Sequence, residues 1–274
     1  MEDFEKFDLD KLGPDPTNYW LKSKPSKILL IGKPKSGKSF MIKAILYNMR
    51  HKINQGIIIS GTDDAARLYS DYMRTLTSQD GSGGATSEDT EALSDHFPQQ
   101  FIYDKYNEEP IRNLIAHQKL LLRNQVKNPW SILIIDDNNF NRKLFTTPLQ
   151  QELFKNARHW YILYVLSLHN AKDVPPSVRS SADGVFLFRE HNVPARKTIY
   201  ENFGGVVPTY KQFGDLLDSF TYDNGTMWID NMKSTNDWQD CICYFKARAS
   251  AVREWMFGAP GFYAHAAARI KDKL

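Results

Sequence analysis

Cysteine is nearly absent from this chain, with two in 274 residues, Cys241 and Cys243. They alternate along an apparent strand and share one face, so they cannot supply a structural zinc site unaided; they read as buried thiols of a reducing compartment. No run approaches the roughly 18 apolar residues of a membrane span, which excludes a helical transmembrane protein. The acidic N-terminus lacks the basic-then-apolar layout of a signal peptide. A soluble, intracellular protein is expected. Net charge is also scarce: +3 at pH 7 is too small to announce a nucleic-acid binder. Its distribution is uneven, because residues 1–15 carry six acids against two bases while residues 246–274 carry six bases against two acids. No internal repeat is visible. The length suits one large α/β domain with appendages.

Against these absences one stretch stands out, Lys27-Ile-Leu-Leu-Ile-Gly-Lys-Pro-Lys-Ser-Gly-Lys-Ser39. A buried apolar run ends at Gly32, and Gly32, Lys33, Pro34, Lys35, Ser36, Gly37, Lys38 and Ser39 fit G-x-x-x-x-G-K-[ST], the P-loop or Walker A pattern. Its glycines let the backbone curl so that successive N–H groups face phosphates, and the helix opening near Lys38 adds its N-terminal dipole. Lys38 is then the cation for the β/γ-phosphates of ATP, and Ser39 a ligand for Mg²⁺. Downstream, Trp130-Ser-Ile-Leu-Ile-Ile-Asp-Asp137 is a buried strand ended by two carboxylates, the Walker B pattern. It assigns Asp136 to the metal and Asp137 to the base that orients the attacking water. The plain alternative is a strand followed by an Asp-Asp-Asn-Asn turn.

The remaining chain alternates strands and helices. Helical spacing covers 38–50, 111–126, 149–157, 193–203 and 210–220; strands are expected at 55–60, 161–168, 184–189, 226–230 and 240–245. The expected fold is α/β: a P-loop NTPase of RecA/ASCE-like type, with a mainly parallel sheet, helices on both faces, a central P-loop strand and a C-terminal hairpin or edge extension. Residues 1–26 read as an arm laid against the core with Trp20 as anchor, 27–247 as the ATPase domain, 75–98 as a mobile insertion and 248–274 as a basic tail. His169 or Asn170, at the end of the 161–168 strand, is placed to sense a γ-phosphate, although a histidine at a strand end is often merely solvated.

With these residues in hand the chain resembles the FtsK/HerA-type genome-packaging ATPases of large double-stranded DNA viruses. The resemblance runs from about residue 27 to 247 and rests on further short segments in the family's order. They are Asn156-Ala-Arg-His159, Val174-Pro-Pro-Ser-Val-Arg179, Ala182-Asp-Gly-Val-Phe-Leu-Phe-Arg-Glu190, Tyr200-Glu-Asn-Phe203, Ile229-Asp-Asn231 and Tyr244-Phe-Lys-Ala247. It implies an ATP- and Mg²⁺-dependent, ring-forming motor that drives double-stranded DNA, without regard to sequence, into a preformed capsid. Capsid or portal-vertex proteins would be partners, in host cytoplasm or viral factory or in association with virions. It also implies an arginine finger acting across the subunit interface, for which Arg158 and Arg179 are the candidates. The family usually carries Gln where this chain has His169. The basic tail, with Arg248, Arg253, Arg269, Lys271 and Lys273, is expected to contact DNA. The alternative is a subunit clamp anchored by Trp255, Met256, Phe257 and Phe262.

Other readings share part of this pattern. Another ring-forming DNA translocase would share all of it. A nucleotide kinase needs a lid bearing several arginines, and 75–98 contains none. A module that binds nucleotide without turnover has no need of a second acid at Asp137.

Overall fold

The apolar runs become strands, and the strands assemble into one sheet. The computed structural model describes residues 4–15, 17–19, 24–61, 69, 96–136, 142–247 and 255–271. Among these, β1 (Lys27–Ile31), β2 (Gln55–Ser60), β3 (Ile102–Tyr103), β4 (Ser131–Asp136), β5 (Ile162–Leu168), β6 (Gly184–Leu187), β7 (Gly225–Asp230) and β8 (Ile242–Lys246) pair in the order β3-β2-β4-β5-β1-β6-β7-β8. Pairings from β3 through β6 are parallel. β7 and β8 continue the sheet antiparallel, the expected C-terminal extension. Every side chain of β4 and β5 is buried. Since alternate side chains point to opposite faces, both faces of the sheet are covered there.

The covering helices are α1 (Lys38–Met49), α2 (Glu108–Arg123), α3 (Pro148–Asn156), α4 (Pro176–Ser181), α5 (Val193–Phe203), α6 (Tyr210–Phe220) and α7 (Pro260–Lys271). Asn107, Thr147, Asn192 and Thr209 cap the starts of α2, α3, α5 and α6 by accepting a backbone N–H. Each such cap contributes about 1 kcal/mol. Periodicity alone places the start of α2 at Ile111. The helix begins a turn earlier because Asn107 caps it and Pro110 is tolerated in a first turn.

The N-terminal arm joins the sheet's edge. The Phe7 N–H donates to Tyr244 O at 2.7 Å and the Tyr244 N–H to Glu5 O at 3.2 Å. The Phe7 ring lies 4.5 Å from Trp228 and 5.4 Å from Phe186, centroid to centroid. Trp20, the expected anchor, lies outside the described residues, as do residues 75–95 of the expected insertion. The end of that insertion is packed: Phe97 is fully buried, 5.2 Å from the Phe257 ring and 5.6 Å from that of Phe262.

The C-terminal segment also differs from expectation. Trp255, Phe257 and Phe262, anchors for a neighbouring subunit in the alternative clamp reading, fill the chain's own core, whereas Met256 is 41% exposed. Backbone bonds fasten them in place: Phe257 N–H to His96 O at 2.8 Å, Gly258 N–H to Arg50 O at 2.9 Å and Ala259 N–H to Asn54 O at 2.9 Å. Burying these rings where β2 and β3 begin removes apolar area from water without a second subunit. Phe257→Ala should therefore lower unfolding free energy by about 3–5 kcal/mol, measured by urea denaturation. A loss below about 1 kcal/mol, the range of surface substitutions, would place this segment outside the cooperative core.

Candidate active site

The parallel register decides which strand ends meet. Ile31 pairs with Leu168, and the Gly32 N–H donates to Leu168 O at 3.2 Å, so the P-loop and His169 leave the sheet side by side. β5 also pairs with β4, whose last residue is Asp136. Three strand ends therefore converge at the carboxyl edge of the sheet, where α/β folds hold their ligands.

The loop itself is tightly wound. Lys35 (φ 62°) and Gly37 (φ 100°) both take the left-handed conformation, which turns backbone N–H groups inward. Gly32 permits a close approach: a Cβ there would lie 2.5 Å from Ser36 Oγ and 2.7 Å from Phe188 Cβ. Lys38, 5% exposed, turns back into the loop, its ammonium donating to Gly32 O at 2.6 Å and Lys33 O at 3.0 Å. It also lies 3.1 Å from His169 Nδ1, which must accept, since an ammonium only donates. Of the strand-end pair His169 and Asn170, His169 is the one that touches the P-loop. Asn170 bonds Asp173 instead, at 3.1 Å.

Ser39 Oγ donates to Asp136 Oδ2 at 3.3 Å, bringing the two sequence-assigned metal ligands together. A hydroxyl and one buried carboxylate, beside a phosphate cradle, is a hard-oxygen donor set that fits Mg²⁺, which prefers a few protein oxygens completed by water and substrate phosphate. The same Oδ2 accepts from Tyr69 Oη at 2.5 Å, and Tyr69 is 2% exposed. Sequence reasoning missed Tyr69. No motif includes it, and only the chain's path after β2 brings it to the end of β4. Asp137 lies outside the described residues.

The two arginines sit elsewhere. Arg158 and Asp183 precede β5 and β6, and therefore lie at the opposite, amino edge of the sheet, about 15 Å along β1 from Gly32. Arg158 Nη2 is ion-paired with Asp183 Oδ1, whose other oxygen accepts the Lys27 N–H at 2.8 Å. Burial pushes the Lys27 ammonium pKa down; Asp183 opposes this shift and Arg158 adds to it. Arg179, on α4, donates to Val174 O at 2.8 Å. Neither arginine joins its own chain's P-loop cluster, an arrangement that a group acting on a neighbouring subunit would also show.

No protein-family model matches the chain. It is 35% identical over 270 residues to uncharacterized protein 088R of Invertebrate iridescent virus 3, covering 97% of this chain and 94% of that one. To uncharacterized protein 075L of Invertebrate iridescent virus 6 it is 35% identical over 268 residues, with the same shares covered. The chain belongs to this iridescent-virus family. Among solved structures, the genome packaging NTPase B204 from Sulfolobus turreted icosahedral virus 2, in complex with AMPPCP, superposes with a TM-score of 0.52 at 20% identity, over 81% of this chain and 98% of B204. At that identity the likeness is one of fold, and the fold of this iridescent-virus family member is that of a P-loop NTPase. Among the described residues no helix is long and apolar enough to cross a membrane.

Proposed function

We propose that this chain is an ATP-hydrolysing motor that moves double-stranded DNA into a preformed capsid, acting as a homo-oligomeric ring. The observation that carries the catalytic part is the meeting of Lys38 with His169 and of Ser39 with Asp136 at one sheet edge. The packaging part is supported by the fold shared with B204, named as a genome packaging NTPase.

In this reading the curled loop from Gly32 to Gly37 directs N–H groups at the phosphates, and Lys38 swings from the loop carbonyls onto the β- and γ-oxygens. Ser39 and Asp136 would hold Mg²⁺, which would supply charge neutralisation for the substrate's phosphates. Tyr69, donating to Asp136, orients that carboxylate. Asp137 orients the attacking water and takes its proton. His169 links the state of Lys38, and so of the γ-phosphate, to β5. Arg158 or Arg179 completes the site of an adjacent subunit, where a cation stabilises the charge developing on the transferred phosphoryl.

Contact with DNA is assigned to the basic residues near the C-terminus. Arg248, Arg253 and Lys273, with the side chains of Arg269 and Lys271, lie outside the described residues. Recognition without sequence preference goes through phosphates, so affinity should fall with salt at a log–log slope of roughly −0.9 per phosphate neutralised. Capsid or portal-vertex proteins are the proposed further partners.

The deciding experiment measures ATP hydrolysis with and without long duplex DNA, alongside the mass of the active species. Strong stimulation by duplex in a ring-sized assembly is expected. Hydrolysis by a monomer indifferent to DNA would overturn the motor reading while leaving the P-loop chemistry intact.

A further inference from the structure

The edge of the sheet at β3 holds a cleft that the nucleotide chemistry does not use. β4 pairs with β2 along its whole length, from Gln55 to Ser60, whereas β3 pairs only with Ile58 and Ile59. The Gly61 N–H donates to Asp136 O at 3.1 Å, so the odd-numbered residues of β2 turn their peptide groups toward β4. Gly56, Ile58 and Ser60 therefore turn theirs outward. Ile58 meets β3, but the chain before β3 turns away from Gly56 as a short 3-10 helix, Gln99–Phe101, whose Phe101 N–H donates to Pro98 O at 3.0 Å. Gly56 is buried, and among the described residues its outward N–H and C=O have no partner. Such groups are rare, because each costs about as much as a lost hydrogen bond.

Gly56 lines a cavity of about 710 Å³. That is well inside the range of ligand sites, about 300–1,000 Å³. Its two sides belong to opposite faces of the sheet. The connections β1-α1-β2 and β3-α2-β4 cross the sheet in opposite directions, so their common right-handedness puts α1 and α2 on opposite faces. One wall is α2, with Leu114, His117 and Leu121. The other is α7, with Phe262 and His265, and the segment leading into it runs along the α1 face, where the Trp255 ring lies 5.9 Å from that of Tyr47. Phe101, stacked 4.6 Å from Phe262, completes that wall.

The lining is uncharged. Residues with charged side chains make up 24% of the sequence, yet among the described residues no Asp, Glu, Lys or Arg lines this cleft. His117 is neutral at pH 7, since burial and the nearby His265 push its pKa down. A nucleotide, a nucleic acid or a charged peptide finds no counter-charge here.

We propose that the cleft binds an extended, uncharged peptide segment of a partner protein, which adds to β2 as a strand at Gly56. A peptide backbone supplies the acceptor and the donor that the Gly56 edge lacks, as in other strand additions. Successive side chains of a strand point to opposite faces, so one apolar residue turns to Leu114 and Leu121 and the next to Phe101 and Phe262. A second copy of this chain does not fit, because α2 and α7 flank the buried edge from both faces and a neighbouring sheet would meet those helices first. A single strand passes between them.

The test uses the full chain and blocked tetrapeptides, acetyl-Ser-X-Z-Ser-amide, with X and Z drawn from Val, Ile, Leu and Phe. In the free, dilute chain the Gly56 N–H should exchange with deuterium at least about tenfold faster than the Ile58 N–H, read by NMR. The tightest-binding peptide should slow Gly56 exchange by about tenfold or more at saturation. N-methylation of one of X and Z, and not of the other, should weaken binding about tenfold, since alternate N–H groups of a strand face its neighbour. Gly261 lines the cleft on α7, and a side chain added there meets nothing within 4 Å. Gly261→Trp should therefore stay folded by thermal melt, keep its ATP affinity and lose about tenfold in peptide affinity. The strand site is overturned if no peptide binds at about 1 mM, if binding leaves Gly56 exchange unchanged, or if folded Gly261→Trp binds peptide as the wild type does. Equal effects of methylating X and Z, or slow Gly56 exchange in the dilute free chain, also overturn it. Exchange that slows with protein concentration alone assigns the edge to a second copy instead.

Discussion

Lys38→Ala should lower ATP affinity by about a thousandfold, equivalent to about 4 kcal/mol, since a buried cation that pairs with substrate charge is worth roughly 2–5 kcal/mol when truncated. The structure adds a second consequence. Lys38 is almost wholly buried and its ammonium satisfies the Gly32 and Lys33 carbonyls. Its removal leaves those acceptors to the loop, at about 1–3 kcal/mol of stability. The chain should stay folded, because the strands flanking the loop are held by sheet pairing and buried apolar side chains rather than by Lys38. Calorimetric titration with ATP and a thermal melt on the same sample separate the two effects. Wild-type ATP affinity in this variant would remove the P-loop from the account.

The second large effect concerns Arg158, whose position supports two roles at once. Its guanidinium neutralises Asp183, which is 6% exposed on its side chain, at the sheet edge away from its own P-loop. Breaking such a pair from one side strands a buried carboxylate and costs about 3–5 kcal/mol. A finger reaching into a neighbour's site should in addition cut hydrolysis by a factor of about 10³ or more while sparing nucleotide affinity. Asp183→Asn separates these roles, because it removes the local partner and keeps the arginine. If Arg158 acts in trans, Arg158→Ala should lose turnover per folded subunit and Asp183→Asn should retain it. Mixing Arg158→Ala with Lys38→Ala subunits should then restore activity, since one interface joins an intact loop to an intact arginine. Loss of stability in both variants, with turnover per folded subunit unchanged and no effect of mixing, would confine Arg158 to holding Asp183 and shift the finger to Arg179.

Much of this site is legible in the amino-acid sequence. Gly32 to Ser39 is a contiguous motif whose spacing is itself the mechanism, and Asp136 is legible because a run of buried residues can end in a carboxylate only where the strand leaves the sheet. His169 was readable as a strand-end residue, but its contact with Lys38 was not. That contact depends on β5 lying next to β1, and no local pattern in either strand states which neighbour it will have. Tyr69 carried no signal at all. The apolar cluster after residue 254 is visible as four large side chains in eight residues, but that three of them cover the chain's own core rather than a neighbouring subunit, as the alternative clamp reading has it, is not, because a sequence shows apolar area without showing what covers it.

By itself, then, the amino-acid sequence determined the things that short-range physics encodes. Periods of two and 3.6 residues mark the strands and helices, capping residues mark where helices begin, and the loop's glycines and lysine mark the phosphate cradle. Tertiary structure alone decided what those elements meet. It placed β5 between the P-loop strand and the Asp136 strand and laid residues 5–7 along the edge at Tyr244. It also turned Trp255, Phe257 and Phe262 inward and left a cleft beside Gly56 rather than filling it. The physical reason is the same in each case: burial and strand pairing are satisfied by partners distant in the chain, and many partners satisfy them almost equally until the whole sheet is in place.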